Sequence, residues 1–306
     1  MCRAVSMFVL LSITLFGNRV ADNDTLKLPK KNVLPTAFQT EEVDVNGQQR
    51  VRILTDRYNI TAHGAKEGNL AGERLEHLFH VWTLLAVEFL NELKFDPVPH
   101  HHQVVLHRDE QEYRQQIRRI EPFIRQRTNG YYSAPRKKAY FYAPESKVLF
   151  HEGTHQIFLE HFFRENKPAF RNNFWAVEGI ALFMETLKIE EDCYRIGNIL
   201  DDRLYAAKIY QFERNYNLPI RKLTAMSVEE IQENRNILSI YSQSAALVHW
   251  LMFAESGRYR KHLFELLRQT YLDTAKPETL SELTGLSYEE LDRRYVEFLQ
   301  TIPDEP

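Results

Sequence analysis

Cysteine is almost missing from this chain. Of 306 residues only Cys2 and Cys193 carry a thiol, which excludes a disulfide-dense scaffold and a zinc site built from thiolates. Charge of one sign is missing as well. A net charge of −3 provides no field to gather nucleic acid or an anionic membrane, and the basic run from Arg114 to Lys138 reads as a solvated face. Beyond the N-terminus no stretch approaches 18 consecutive apolar residues, so no membrane span is expected in the mature protein. Internal repeats and low-complexity tracts are also absent. What is present is ordinary globular material: 43% hydrophobic residues, enough to bury a core in one large domain or two closely packed lobes.

The N-terminus departs from this. Residues 1–21 hold one early Arg, an apolar run from Met7 to Phe16 and then polar residues, the layout of a secretory signal peptide. A secreted or periplasmic protein is expected, with an uncleaved anchor as the alternative. Cys2 would leave with the signal, so any metal must be held by His, Asp or Glu. Residues 22–48 contain "LKLPKKNVLPT" and "VNGQQ" and read as a tail or linker. The folded domain is expected over 49–303, with an α+β lobe over about 49–165 and a mainly helical lobe over about 166–303.

Periodicity assigns the elements. Val51, Ile53 and Thr55 alternate with polar residues, as in a half-buried strand. Leu75, Leu78, Phe79, Trp82, Leu85, Phe89, Leu90 and Leu93 recur at three and four, predicting an amphipathic helix over 69–93. "VPHHHQVVLHRD" predicts a strand, "DEQEYRQQIRRI" a helix capped by Asp109, and "NGYYSAPRKKAYFYAP" a hairpin turning at Ser133 to Pro135. The second half reads as helices through "WAVEGIALFMETL", "YSQSAALVHWLMFAE", "KHLFELLRQTYL" and "SYEELDRRYVEFLQT".

Chemistry concentrates in "LFHEGTHQIFLEHFF", residues 149–163. Positions four apart lie on one helical face, so His151 and His155 can reach one cation at about 2.0–2.1 Å. Glu152 falls on the flank of that face, where a base acting on water beside a metal belongs. A catalytic zinc needs a third protein ligand and an open position. Glu178 is the candidate, because Trp175, Ala176, Val177, Ile180, Ala181 and Phe183 leave it little surface to face, and a walled-in carboxylate needs a cation.

With these residues in view, the pair "HEGTHQ" and "WAVEGIALFME" resembles the gluzincin metallopeptidases, H-E-x-x-H plus a downstream Glu, of the bacterial peptidase-MA-like kind. It looks most like an uncharacterised secreted family with E-G-x-A at the third ligand, and the likeness runs over about residues 140–255. The resemblance implies a thermolysin-like α+β fold: a mixed sheet whose edge strand faces substrate, an active-site helix and a helical second lobe. It implies one zinc per chain on His151, His155 and Glu178, with Glu152 as catalytic base. It also directs attention to a transition-state donor further on, and Tyr241 stands at a comparable distance; His249 is the weaker rival, read as a core or metal-orienting histidine. Glu185, two turns beyond Glu178, is a candidate to orient a ligand histidine. The "HHH" at 100–102 cannot converge on one ion, since neighbours on a strand point to opposite faces, and is expected as exposed strand.

The substrate expected on this reading is a peptide or protein. The aminopeptidase G-x-M-E-N loop is lacking before the motif, where the chain reads "NGYYSAPRKKAYFYAPES", so an extended substrate pairing with the edge around Tyr131 and Tyr132 is the simpler picture. Two rival readings remain: a secreted binding or scaffold domain with a structural zinc, and a zinc amidase acting on a cell-wall or glycan bond.

Overall fold

The computed structural model describes residues 25–30, 38–89, 100–122, 128–162 and 169–304; the expected signal segment lies outside them. The first half runs β1 (Leu26–Pro29), β2 (Gln39–Val45), β3 (Gln48–Leu54), β4 (Tyr58–Ala62), α1 (Ala65–Phe89), β5 (His102–Leu106), α2 (Glu110–Ile120), β6 (Gly130–Ser133), β7 (Lys138–Phe141) and α3 (Ser146–Phe162). The second half runs α4 (Phe174–Met184), β8 (Lys188–Ile189), β9 (Cys193–Ile196), α5 (Asp202–Phe212), α6 (Ile220–Ala225), α7 (Val228–Gln232), α8 (Ile237–Gly257), α9 (Arg260–Tyr271), α10 (Thr279–Thr284) and α11 (Tyr288–Thr301). The class is α+β with a mixed sheet.

The main sheet has the order β2-β3-β4-β5-β7-β6. β4, β5 and β7 run parallel, and the outer strands pair antiparallel. Alternation sorts its two faces. Tyr58, Ile60, Ala62, Val104, Leu106, Ala139 and Phe141 join the main core beneath α1 and α3, while Val105, Tyr131 and Tyr140 pack with Tyr113 and Ile117 of α2 on the other face. α2 is capped as expected, Asp109 accepting from the Glu112 amide.

Several expectations change. The 22–48 segment is not wholly a linker: β1 pairs with β9, joining Leu26 to Ile196, and β2 forms an edge of the main sheet. α1 begins at Ala65, ahead of the expected start at Asn69, and Leu90 and Leu93 lie outside the described residues. The hairpin turn falls at Ala134 to Lys137, where Arg136 and Lys137 amides reach the Ser133 and Ala134 carbonyls. His102 is buried, contrary to the exposed strand expected of "HHH", because its phase on β5 is that of Val104 and Leu106. Finally, α8 has the length and hydropathy of a membrane span, but 78% of that window is buried within the fold, so it serves as a core helix.

The helices that carry the site are brought close by two glycines. A Cβ on Gly153 of α3 would lie 2.6 Å from Leu78 Cδ2 of α1. One on Gly179 of α4 would lie 2.8 Å from the Ser244 carbonyl oxygen of α8. Without side chains at these crossings the helix axes approach more closely than larger residues allow.

Candidate metal centre

α3 and α4 cross so that three ligand atoms converge. His151 Nε2 and His155 Nε2 are 3.2 Å apart. Glu178 Oε2 lies 3.5 Å from the first and Glu178 Oε1 3.8 Å from the second. Ligands at about 2.0–2.1 Å on a tetrahedral ion are separated by roughly 3.3–3.4 Å, so these spacings bracket what one small cation requires. His151, His155 and Glu178 form the one cluster of this kind among the described residues, their ligand atoms all within 4.8 Å. Two imidazoles and a carboxylate, neutral and anionic donors of intermediate hardness, suit a borderline divalent ion.

Glu178 is held there by the architecture of α4, every residue of which is buried. Asn173 starts the helix in the left-handed region, φ 54°. Its amide donates to the Thr224 carbonyl, its Nδ2 to the Lys276 carbonyl, and its Oδ1 accepts from Trp175 Nε1. Such a start fixes the helix's entry and thereby the reach of Glu178, five residues on.

The ligands have partners. Glu185 Oε1 lies 2.8 Å from His151 Nδ1, so a proton on Nδ1 is shared with that carboxylate and Nε2 is the atom turned to the cluster. The Tyr241 phenol and the Glu178 carboxylate influence each other's titration, the phenol lowering the pKa of Glu178 and the carboxylate raising that of Tyr241. His249 does not take part: it is buried against the rings of Phe183, Phe253 and Phe298.

The electrostatics follow from three carboxylates, Glu152, Glu178 and Glu185, around the two histidines. Burial lowers the His151 pKa, but the hydrogen bonds and charges of Glu178 and Glu185 outweigh it and push it up to about 10. His155 is lowered to about 4, mainly by burial. Glu178 stays below the usual carboxylate range although burial opposes this, through His151, His155 and Tyr241. The cluster thus attracts one positive charge, which a divalent cation would supply in place of the proton.

Glu152 sits beside the cluster. Burial raises its pKa to about 7, against the opposing charge of His151 and a 3.0 Å hydrogen bond from the Tyr132 amide of β6. Burial also raises Tyr241, which keeps its phenol protonated. The sequence reading missed the Tyr132 amide and the buried pair of Glu160 with His102, 2.7 Å apart. The spacing of Glu152, Gln156 and Glu160, four and four on one helix face, was the available signal.

No family model matches the chain, and no curated protein matches it.

Proposed function

We propose that the chain is a secreted zinc-dependent hydrolase of the gluzincin type, a metallopeptidase cleaving peptide bonds. The observation that carries this reading is the convergence of His151, His155 and Glu178 with an unligated, half-buried glutamate next to them. A structural zinc site has four closed ligands and no use for such a base. A mixed sheet ending in β6, the H-E-x-x-H helix beneath it and the helical second half are the features that support a thermolysin-like arrangement.

His151, His155 and Glu178 would hold the ion. When bound, zinc supplies a Lewis acid and brings the pKa of a water toward ~7. Glu152 accepts the proton as water attacks the scissile carbonyl, then returns it to the leaving amine. Its raised pKa suits both steps, since a base poised near neutrality can also act as the acid. Tyr241, whose phenol stays protonated, donates to the oxyanion of the tetrahedral intermediate. Substrate lies extended along the edge at β6.

The test is zinc content and turnover of a quenched peptide library by the wild type, Glu178→Ala and Glu152→Gln proteins. About one zinc per chain is expected in the wild type and Glu152→Gln, and little in Glu178→Ala, with turnover confined to the wild type. A Glu152→Gln protein as active as wild type would refute the mechanism.

A further inference from the structure

β6 is the last strand of the main sheet, paired with β7 alone, and one of its amides is already engaged. Opposite residues of an antiparallel pair alternate between those that exchange both main-chain bonds and those that exchange none. Tyr132 stands opposite Ala139, yet its amide donates to Glu152 Oε2 at 3.0 Å. Tyr132–Ala139 is therefore a non-bonded pair, and so is Gly130–Phe141 two residues away, while Tyr131 and Ser133 bond to β7. The main-chain groups of Gly130 and Tyr132 thus point off the edge of the sheet, where an extended peptide would add.

The helix of the metal centre reaches that edge first. Gly130 lets it approach: a Cβ there would lie 2.7 Å from Val148 Cγ1 and 2.9 Å from Glu152 Cγ, so a larger residue would push α3 away from the strand. Glu152 is thereby carried to the open edge, and among the described residues the Tyr132 amide is the one hydrogen-bond partner of its carboxylate. Glu152 is not one of the three converging ligands. A peptide strand added to β6 in ladder register needs that same N–H for one of its carbonyls. One N–H makes one linear bond, so the two acceptors exclude each other.

We propose that Glu152 and an extended peptide compete for the Tyr132 amide, so that a peptide seated on β6 takes the amide and frees the carboxylate. The base is held on the strand in the absence of substrate and released by substrate in register. A peptide bound elsewhere leaves Glu152 on the strand and is not cut. The consequence for catalysis rests on the hydrolase reading above; the competition itself does not.

The probe is a dye-labelled pool of mixed-sequence decapeptides, and the proteins are full-length Glu152→Ala and Glu152→Gln, neither of which cuts it on the mechanism above. Both remove the charge, but glutamine keeps an acceptor oxygen for the Tyr132 amide and alanine does not. Fluorescence anisotropy should show Glu152→Ala binding the pool about fivefold more tightly, the scale of one net hydrogen bond. Replacing Tyr132 by its α-hydroxy acid, which exchanges the N–H for an ester oxygen and keeps the phenol, should abolish that difference. Without peptide, the amide of residue 132 should exchange faster in Glu152→Ala than in the wild type, and adding the pool should slow it again. Equal affinities of the two variants, no binding by either, or an amide that the pool does not protect would each overturn the competition. Zinc content and turnover of the wild type are read separately. A wild type that cuts nothing fails the hydrolase reading, while the binding comparison still decides the competition for the amide.

Discussion

Glu185 Oε1 stands 2.8 Å from His151 Nδ1, at the end of the helix that also delivers Glu178. One short helix therefore provides both a ligand and the group that orients another ligand. Removing such an orienting partner typically costs 10–100-fold in metal affinity. Glu185→Ala should weaken zinc binding by a factor in that range, measured by competition with a chromogenic chelator, while Glu185→Gln, which keeps an acceptor oxygen, should lose less. Equal affinity in all three proteins would show that the bond does not orient the ligand.

Gly179 follows Glu178 and meets the backbone of α8. A methyl there would sit 2.7 Å from Val248 Cγ2 and 2.8 Å from the Ser244 carbonyl oxygen; a side chain can turn aside, but a carbonyl in a helix moves only with its helix. Gly179→Ala is expected to cost about 1–3 kcal/mol by overpacking, despite the better helix propensity of alanine. Since Tyr241 lies one turn before Ser244 on α8, the same displacement draws its phenol from Glu178. Denaturant unfolding checks the first effect. The second predicts a fall in turnover at temperatures where the variant remains folded.

Glu152 gives the activity a pH dependence with a definite sign. Burial raises its pKa to about 7, with His151 opposing, and a bound cation adds positive charge that lowers it. The base is the carboxylate, so activity should decline as pH falls through a value at or below about 7. A kcat/KM profile taken over acid to neutral pH should show this limb. Activity that climbs as the solution is acidified would count against Glu152 as base.

Much of the site was legible because its parts are local. His151, Glu152 and His155 lie within about one turn, so spacing alone places them together. Glu178 betrays itself as a carboxylate inside an apolar helix, and Glu185 as a residue two turns along the same face. The strand pair β1–β9 was illegible because Leu26 meets Ile196 across most of the chain, and neither four-residue strand has a pattern of its own. His102 was misjudged for another reason: Val104 and Val105 are both apolar, so composition leaves the phase of β5 undecided, and the packed sheet chose the phase that buries His102. The Tyr132 contact to Glu152 comes from a main-chain amide, which no residue type announces.

His249, left out of the metal centre, gives the fold a pH sensitivity of its own. It is 1% exposed and stacked against Phe298 at 5.7 Å, with Phe253 at 4.6 Å. Burial lowers its pKa from 6.5 to about 3, and burial likewise lowers His77 and His107 to about 4. Between those folded values and 6.5 the unfolded chain binds protons that the native chain does not. Stability is therefore full above about 6.5, declines as pH falls through that window, and levels off below the folded pKa values. His249→Phe matches the aromatic surroundings and has no proton to take up. Its unfolding free energy should fall less than that of the wild type between neutral pH and about pH 4.5, by up to a few kcal/mol on the scale of 1.4 kcal/mol per pKa unit. Parallel losses in the two proteins would mean that His249 does not titrate differently on folding.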